Sequence, residues 1–207
     1  MNKEEKIQIL RETVGTKADI FLALDKLGAT TGIEIGVRRG GNLKQLSWNK
    51  SFTKGKLIGL DCWKEVVERP TFNDQNFSQN ALDNQYESVK KLFAAHPWIE
   101  IVRDFSVEGS KRFEDGYFDF IYIDAAHDYR SVKEDIEAWW PKLKSGGIYS
   151  GHDYFKDRRV WRNEEVGVYK AVNEFVASQG TEVHHTTKTE LEGGPGRACN
   201  SFFIVKD

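Results

Sequence analysis

Short apolar runs separated by longer amphipathic stretches set the rhythm of the chain. The runs are Gly32 to Val37, Leu57 to Leu60, Ile99 to Val102, Phe118 to Ile123 and Gly147 to Ser150. Each is too short for a buried helix, rich in Ile, Val, Tyr or Phe, and bounded by Gly, Asp or Lys, which predicts strands buried on both faces. Between them, Gly41 to Trp48, Asn80 to Ala95, Val107 to Phe113, Arg130 to Leu143 and Val168 to Ser178 carry helical spacing. A strand that runs parallel to its neighbour is reached only through a crossover, so the alternation predicts an α/β fold with a parallel sheet covered on both sides. Asn2 to Leu27 places Ile7, Leu10 and Val14 on one stripe and Ile20, Leu24 and Leu27 on another, which reads as one or two opening helices. The end of the chain departs from the rhythm. Glu182 to Thr187 and Ser201 to Val205 read as strands joined by a Gly-rich connection at Glu192 to Gly196, with no helix between them, and a direct return makes an antiparallel pair. Trp63 to Gln79 is a long irregular stretch of the kind that serves as a lid or a surface loop.

Length and charge narrow the classes. With 207 residues the chain is of single-domain size, and it buries enough surface to fold without a disulfide or metal staple. Its 30 Lys and Arg against 32 Asp and Glu leave a formal charge of −2, which argues against a dedicated nucleic-acid or anionic-membrane binder. Two cysteines, Cys62 and Cys199, are too few for a disulfide scaffold and read as reduced thiols. The charged, amphipathic start lacks the apolar core of a secretory signal, and no apolar run nears the roughly 20 residues that span a bilayer. The expectation is a soluble cytoplasmic protein without a membrane or nucleic-acid partner.

Chemistry-bearing residues gather where the predicted strands end. Gly32-Ile-Glu34-Ile-Gly36-Val-Arg38-Arg-Gly40-Gly41-Asn42 joins the first strand to its helix, where glycine permits a sharp turn and the helix start offers unpaired amides. A dinucleotide fingerprint needs a glycine two residues after Gly36, and this chain has Arg38 there, which weakens a nicotinamide reading. An acid at Glu34 better suits a ligand with a cationic amino-acid group. Asp61 ends the second strand about 20 residues after the glycine turn, placed to accept both ribose hydroxyls of a nucleoside. Asp124, His127 and Asp128 follow the fourth strand, and His152 and Asp153 follow the fifth. Charged groups directly after a buried strand require partners, which a metal ion or polar substrate would supply, although Asp128 also suits a helix cap.

These residues resemble the class I S-adenosylmethionine-dependent methyltransferases from Ala29 to the end of the chain. Glu34-x-Gly36-x-x-x-Gly40 is similar to the family's first motif, Asp61 to its ribose-binding acid, and the final strand return to its reversed last strand. Ile-Asp124-x-x-His127-x-Tyr129 with Gly-His152-Asp153-Tyr154 resembles a bacterial branch related to metal-dependent catechol-type and macrolide- or sugar-directed O-methyltransferases. The resemblance implies a Rossmann-like, doubly wound, mostly parallel seven-stranded sheet with an antiparallel last strand. Residues 1–28 would form an N-terminal helical extension and 29–207 the methyltransferase domain.

By the same resemblance, Glu34, Gly36 and Gly40 hold the methionine part of the cofactor, Asp61 takes the ribose with Cys62 and Trp63 beside it, and Ser106 contacts the adenine. Asp124 faces the cofactor and, with His152 and Asp153, would hold Mg²⁺ or another divalent cation. Mg²⁺ prefers oxygen ligands, so the imidazole of His152 departs from the pattern: either Asp124 and Asp153 hold the ion with waters, or a softer ion such as Mn²⁺ is tolerated, or no metal binds. His127 falls where catechol-type relatives keep a basic lysine, and a neutral imidazole there would take the acceptor's proton. The implied activity is O-methylation of a hydroxyl on a small molecule of sugar, nucleotide-sugar or natural-product type. Asp157-Arg158-Arg159-Val160-Trp161-Arg162 would wall the acceptor pocket. A non-catalytic adenosylmethionine binder, and after it an NAD-dependent oxidoreductase, are the alternatives. The N-terminal helices offer either a homodimer interface or a cover for the sheet.

Overall fold

The computed structural model describes residues 1–65, 77–156, 160–161, 164–188, 190–191 and 198–207. The expected Gly-rich connection at 192–196, much of the irregular stretch at 63–79 and most of the expected acceptor wall at 157–162 lie outside them. Seven strands form one sheet: β1 (Thr31–Ile35), β2 (Lys56–Asp61), β3 (Ile99–Arg103), β4 (Phe118–Ile123), β5 (Leu143–Gly151), β6 (His184–His185) and β7 (Phe202–Val205). Their order is β3-β2-β1-β4-β5-β7-β6. The first five are parallel, and β7 runs antiparallel to both β5 and β6. This is the expected doubly wound sheet with a reversed end. Two-residue ribbons pair 160–161 with 164–165 and 190–191 with 198–199.

The helices are α1 (Lys3–Thr13), α2 (Lys17–Leu27), α3 (Gly41–Leu46), α4 (Gln79–Phe93), α5 (Ser106–Ser110), α6 (Tyr129–Trp139) and α7 (Val168–Gln179). Strand alternation sends neighbouring side chains to opposite layers. Phe120 and Tyr122 of β4 pack with Leu10, Phe21, Leu24 and Leu43 of the first three helices. Ile121 and Ile123 face the other way, onto Val132, Ile136 and Val172 of α6 and α7. Helices α1 and α2 therefore share a core with the sheet. Each begins with a capping box, Asn2 with Glu5 and Thr16 with Asp19. Among the described residues, no helix is long and apolar enough to cross a membrane.

Residue pattern explains where elements differ from expectation. The strand expected at 147–150 begins at Leu143, because β5 carries an irregularity: Phe118 pairs with Leu143 while Phe120 pairs with Ile148. Asp128, not a ligand, caps α6, its carboxylate accepting the Ser131 amide at 3.0 Å.

A carboxylate fastens the sheet at its amino end. Asp119 Oδ2 accepts the backbone amides of Thr30 and Thr31, both at 2.9 Å, and their hydroxyls at 3.0 and 2.9 Å. Its Oδ1 accepts Lys144 Nζ at 2.8 Å. Burial raises the pKa of this carboxyl, but the bonds from Lys144 and the two threonines outweigh it and lower the pKa to about 2. A depressed folded pKa contributes stability that is present above the unfolded value and lost as pH falls through the folded one. The wild-type chain should lose about 2 kcal/mol of unfolding free energy between pH ~4 and pH ~2 through this group. Asp119→Asn should abolish that loss in urea titrations at the two pH values and be less stable at pH 7.

Candidate active site

Parallel register brings the strand ends to one level. Ile35 pairs with Leu60 on one side and Ile123 on the other, and Ile123 pairs with Gly151. The next residues, Gly36, Asp61, Asp124 and His152, therefore leave four adjacent strands together. The ladder continues past the strands: the Gly36 amide donates to Leu60 O at 2.9 Å, Asp124 N to Ile35 O at 2.8 Å and His152 N to Ile123 O at 3.2 Å. Strand order reverses between β1 and β4, and such a switch point is where open α/β sheets bind ligands.

Glycine is required at Gly36 by this convergence. Its φ is 93°, and a Cβ there would collide with the carbonyl oxygen of Asp124. Gly40, at φ 79°, is the N-cap of α3. Arg38, at the position where a dinucleotide turn has its second glycine, adopts the left-handed conformation regardless, with φ 50°. Among the described residues, the non-glycine residues with positive φ are Arg38, Trp63 and Asp153, and each follows a strand at this one rim. Such conformations cost of order 1–3 kcal/mol and gather at functional sites.

Glu34 is the most unusual acid. It points from β1 into the layer beneath α3, is 1% exposed, and neither carboxylate oxygen accepts a hydrogen bond. Burial pushes its pKa well above the carboxylate range, the charges of Asp124 and then Asp61 add to this, and the Asn42 amide and Lys17 oppose only in part. Asn42 is committed elsewhere, its Nδ2 donating to Asp124 Oδ2 at 3.0 Å. An orphaned, buried carboxylate is a fitting receptor for a cationic group. The signal that marks Asn42 in the sequence is its place directly after Gly40-Gly41 at a helix start, which sequence reasoning did not use.

Asp61 is oriented by backbone donors. Its Oδ2 accepts the Arg38 amide at 2.8 Å and its Oδ1 the Trp63 amide at 3.0 Å. Burial raises its pKa against these bonds. The Cys62 thiol and amide bond the same carboxylate. Trp63 is buried, and its indole donates to Arg38 O at 2.9 Å. The Cys62 thiol sits beside Asp61, with its pKa raised by burial to about 11.

Ser106 starts α5 and its hydroxyl faces away from the acids. It accepts the Trp139 indole N–H at 2.9 Å and bonds Asp135, whose pKa burial raises to about 7.

On the other side of Gly36, His127 Nε2 lies 2.9 Å from Asp153 Oδ2 and 3.3 Å from Asp124 Oδ1. Burial would lower the His127 pKa, but bonds to Asp124 and Asp153 reverse this and raise it to about 10. Both aspartates are held below the usual carboxylate range by His127 and His152 against the effect of burial. The two carboxylates beside the imidazole thus favour its protonated form, where the sequence reading expects a neutral base. Asp124, His152 and Asp153 bring one ligand atom each within 4.8 Å of one another.

A family model described as a methyltransferase domain matches residues 33–154, more than half of the 207. The chain belongs to this methyltransferase family. The match runs from within β1 to the residues just after β5, and so contains every acid of this rim. Among solved structures, an O-methyltransferase from Bacillus cereus in complex with SAH has a TM-score of 0.61 at 16% identity, covering 99% of this chain and 90% of that one. A SAM-dependent methyltransferase from Aquifex aeolicus gives 0.59 at 14% identity over 100% of both chains. Spermidine synthase from Thermotoga maritima gives 0.61 at 17% identity, covering 93% of this chain. This chain spans less than two thirds of the length of the spermidine synthases it matches, 58% in that case. No curated protein sequence matches. At such identities the structural likeness speaks for the fold, and the family model for a methyltransferase domain.

The contact between Gly36 and the Asp124 backbone yields a test of the methyltransferase rim. Gly36→Ala should cost about 3 kcal/mol or more in urea unfolding, since it adds a backbone collision to a strained φ. Gly40→Ala, whose Cβ would meet side chains of Phe93 and Leu92, should cost about 1 kcal/mol.

Proposed function

We propose that the chain transfers the methyl group of S-adenosylmethionine to a hydroxyl oxygen of a small molecule. The observation that carries this reading is the Asp124–His127–Asp153 cluster at the ends of β4 and β5, beside the strand β1 that bears the orphaned Glu34. In this assignment Glu34 and the turn from Gly36 to Gly40 receive the ammonium and carboxylate end of the cofactor. Asp61 accepts the ribose hydroxyls, with Cys62 and Trp63 beside them, and Ser106 helps shape the adenine end through the start of α5. A sulfonium nucleoside with an ammonium group brings positive charge to a rim rich in carboxylates, and such charge-assisted contacts are the stronger ones.

In the transfer, the acceptor oxygen forms a bond to the methyl carbon as the sulfonium carbon–sulfur bond breaks, leaving adenosylhomocysteine and a proton. Alignment of donor and acceptor with exclusion of water lowers the barrier by several kcal/mol. Within the cluster the imidazole of His127 takes up the hydroxyl's proton, and the two carboxylates stabilise the imidazolium that forms. Asp124 and Asp153 orient His127 within it.

The same residues suit a divalent cation. Asp124, His152 and Asp153 converge closely enough, and two carboxylates with an imidazole match Mn²⁺ or Zn²⁺ better than Mg²⁺. When bound, such an ion would lower the pKa of the acceptor hydroxyl.

Titration calorimetry should show adenosylhomocysteine binding at about micromolar Kd and no heat with NAD. Methyl-labelled adenosylmethionine should label hydroxyl compounds from a panel of catechols and nucleotide sugars. Asp124→Asn should abolish labelling while keeping adenosylhomocysteine affinity within about threefold, the pattern of a group that acts in the transition state. Heat with NAD, or full labelling by Asp124→Asn, would refute the reading. Chelation followed by Mn²⁺ should raise labelling more than chelation followed by Mg²⁺; equal labelling by metal-free and Mn²⁺-loaded protein would remove the cation from it.

A further inference from the structure

Arg103 ends β3, paired in register with Asp61. Its Nη2 donates to Trp63 O and to Asp83 Oδ1 of α4, both at 2.6 Å, and its Nε to Cys62 O at 3.3 Å. The guanidinium also lies over the Tyr86 ring, 5.2 Å from its centre. Gln79 repeats the pattern, with its Nε2 donating to Trp63 O at 3.1 Å and to Asp83 Oδ1 at 2.9 Å. Two donors from different elements therefore converge on one carbonyl.

That carbonyl belongs to a residue under strain. Trp63 has φ 37°, a conformation that a bulky side chain does not adopt unaided. Every polar group of Trp63 is engaged while it stays there: its amide on Asp61, its indole on Arg38 O, its carbonyl on Arg103 and Gln79. Its ring packs against Tyr86, 5.1 Å between centres. Relaxation of the peptide to an extended form would swing the amide off Asp61 Oδ1.

We propose that Arg103, braced by Asp83, is a positioning residue for the nucleoside half of the cofactor, holding Trp63 in its left-handed conformation so that Asp61 presents its oxygens to the ribose. Arg103 touches neither Asp61 nor, in this assignment, the ligand. It acts through two peptide carbonyls. The assignment rests on the ribose role given to Asp61 above, and its test separates the two.

The test compares adenosylhomocysteine with its 2′-deoxy analogue by calorimetry on the full chain, in wild type, Arg103→Met and Asp83→Asn. Wild type should bind the deoxy analogue about tenfold more weakly, the worth of a hydrogen bond to a carboxylate. Arg103→Met should weaken adenosylhomocysteine about tenfold and shrink the ribose-to-deoxyribose ratio to about two, because a misplaced Asp61 no longer distinguishes the sugars. Asp83→Asn, at a half-exposed position of α4, should move the ratio in the same direction by about threefold, and it decides the matter if Arg103→Met does not fold. A variant that weakens both ligands equally and keeps the wild-type ratio would mean a merely structural role and overturn the proposal. A wild type that binds the two sugars equally would overturn the ribose role of Asp61 itself, and with it the assignment to Arg103.

Discussion

The register of the parallel ladder is the constraint on which the site depends. Because Ile35 lies level with Leu60 and Ile123, and Ile123 with Gly151, the chain leaves four strands at one height. A one-residue slip would send Glu34 to the opposite layer, since side chains alternate along a strand. The hydrophobic pattern prevents that slip. Ile33 and Ile35 are buried against α6 and α7, while Gly32 receives the Phe52 ring on the other face. Burial on both faces makes the register costly to change, so the positions of Glu34, Asp61 and Asp124 follow from core packing laid down several residues earlier.

Convergence has an electrostatic cost that the rim partly offsets with its own donors. Asp61 receives two backbone amides, Asp124 an asparagine amide and an imidazole, and Asp153 the same imidazole. Those amides are available only because Arg38 and Trp63 adopt strained conformations. Strain, convergence of acids and the close approach of Gly36 to Asp124 thus belong to one arrangement. Glu34 is left without a donor, and a buried acid whose ionisation is opposed by its neighbours is the group most improved by a cationic ligand. In the proposed function that ligand is the ammonium end of S-adenosylmethionine.

Much of this was legible in the sequence because it is carried by local patterns. Apolar runs of four to six residues alternating with amphipathic stretches specify a parallel sheet, and acids at run ends fall at the carboxyl rim. What a glycine is for was less legible. Gly36 reads as room for a ligand, whereas the space beside it is filled by the Asp124 backbone, a neighbour 88 residues away in sequence. The charge of His127 was also hidden. A lone histidine three residues after an acid looks neutral, and the second carboxylate that favours its protonated form arrives from Asp153, past the end of β5. Arg103 has no motif at all: its partners, Cys62, Trp63 and Asp83, become neighbours only when α4 folds back beside β3. Pairwise chemistry between distant segments is what periodicity does not encode.

The two ends of the sheet show how donors decide what a buried acid does. Asp119 and Glu34 sit on adjacent strands, are both withdrawn from water and differ by one methylene. Asp119 is met by two amides, two hydroxyls and an ammonium, and its pKa falls to about 2. Glu34 is met by none, and its pKa rises well above the carboxylate range. Desolvation acts on both in the same direction, so the difference comes from hydrogen bonds on Asp119 and from the neighbouring Asp124 and Asp61 charges on Glu34. The first acid is complete without a ligand and contributes to folding. The second is incomplete in the folded chain, and folding tolerates it because the amino end of the same strand is so well secured. Asp119 of β4 fastens the amino end of β1, and Glu34 stands unsatisfied nearer the opposite rim, where in the proposed function a ligand's ammonium supplies the missing donor.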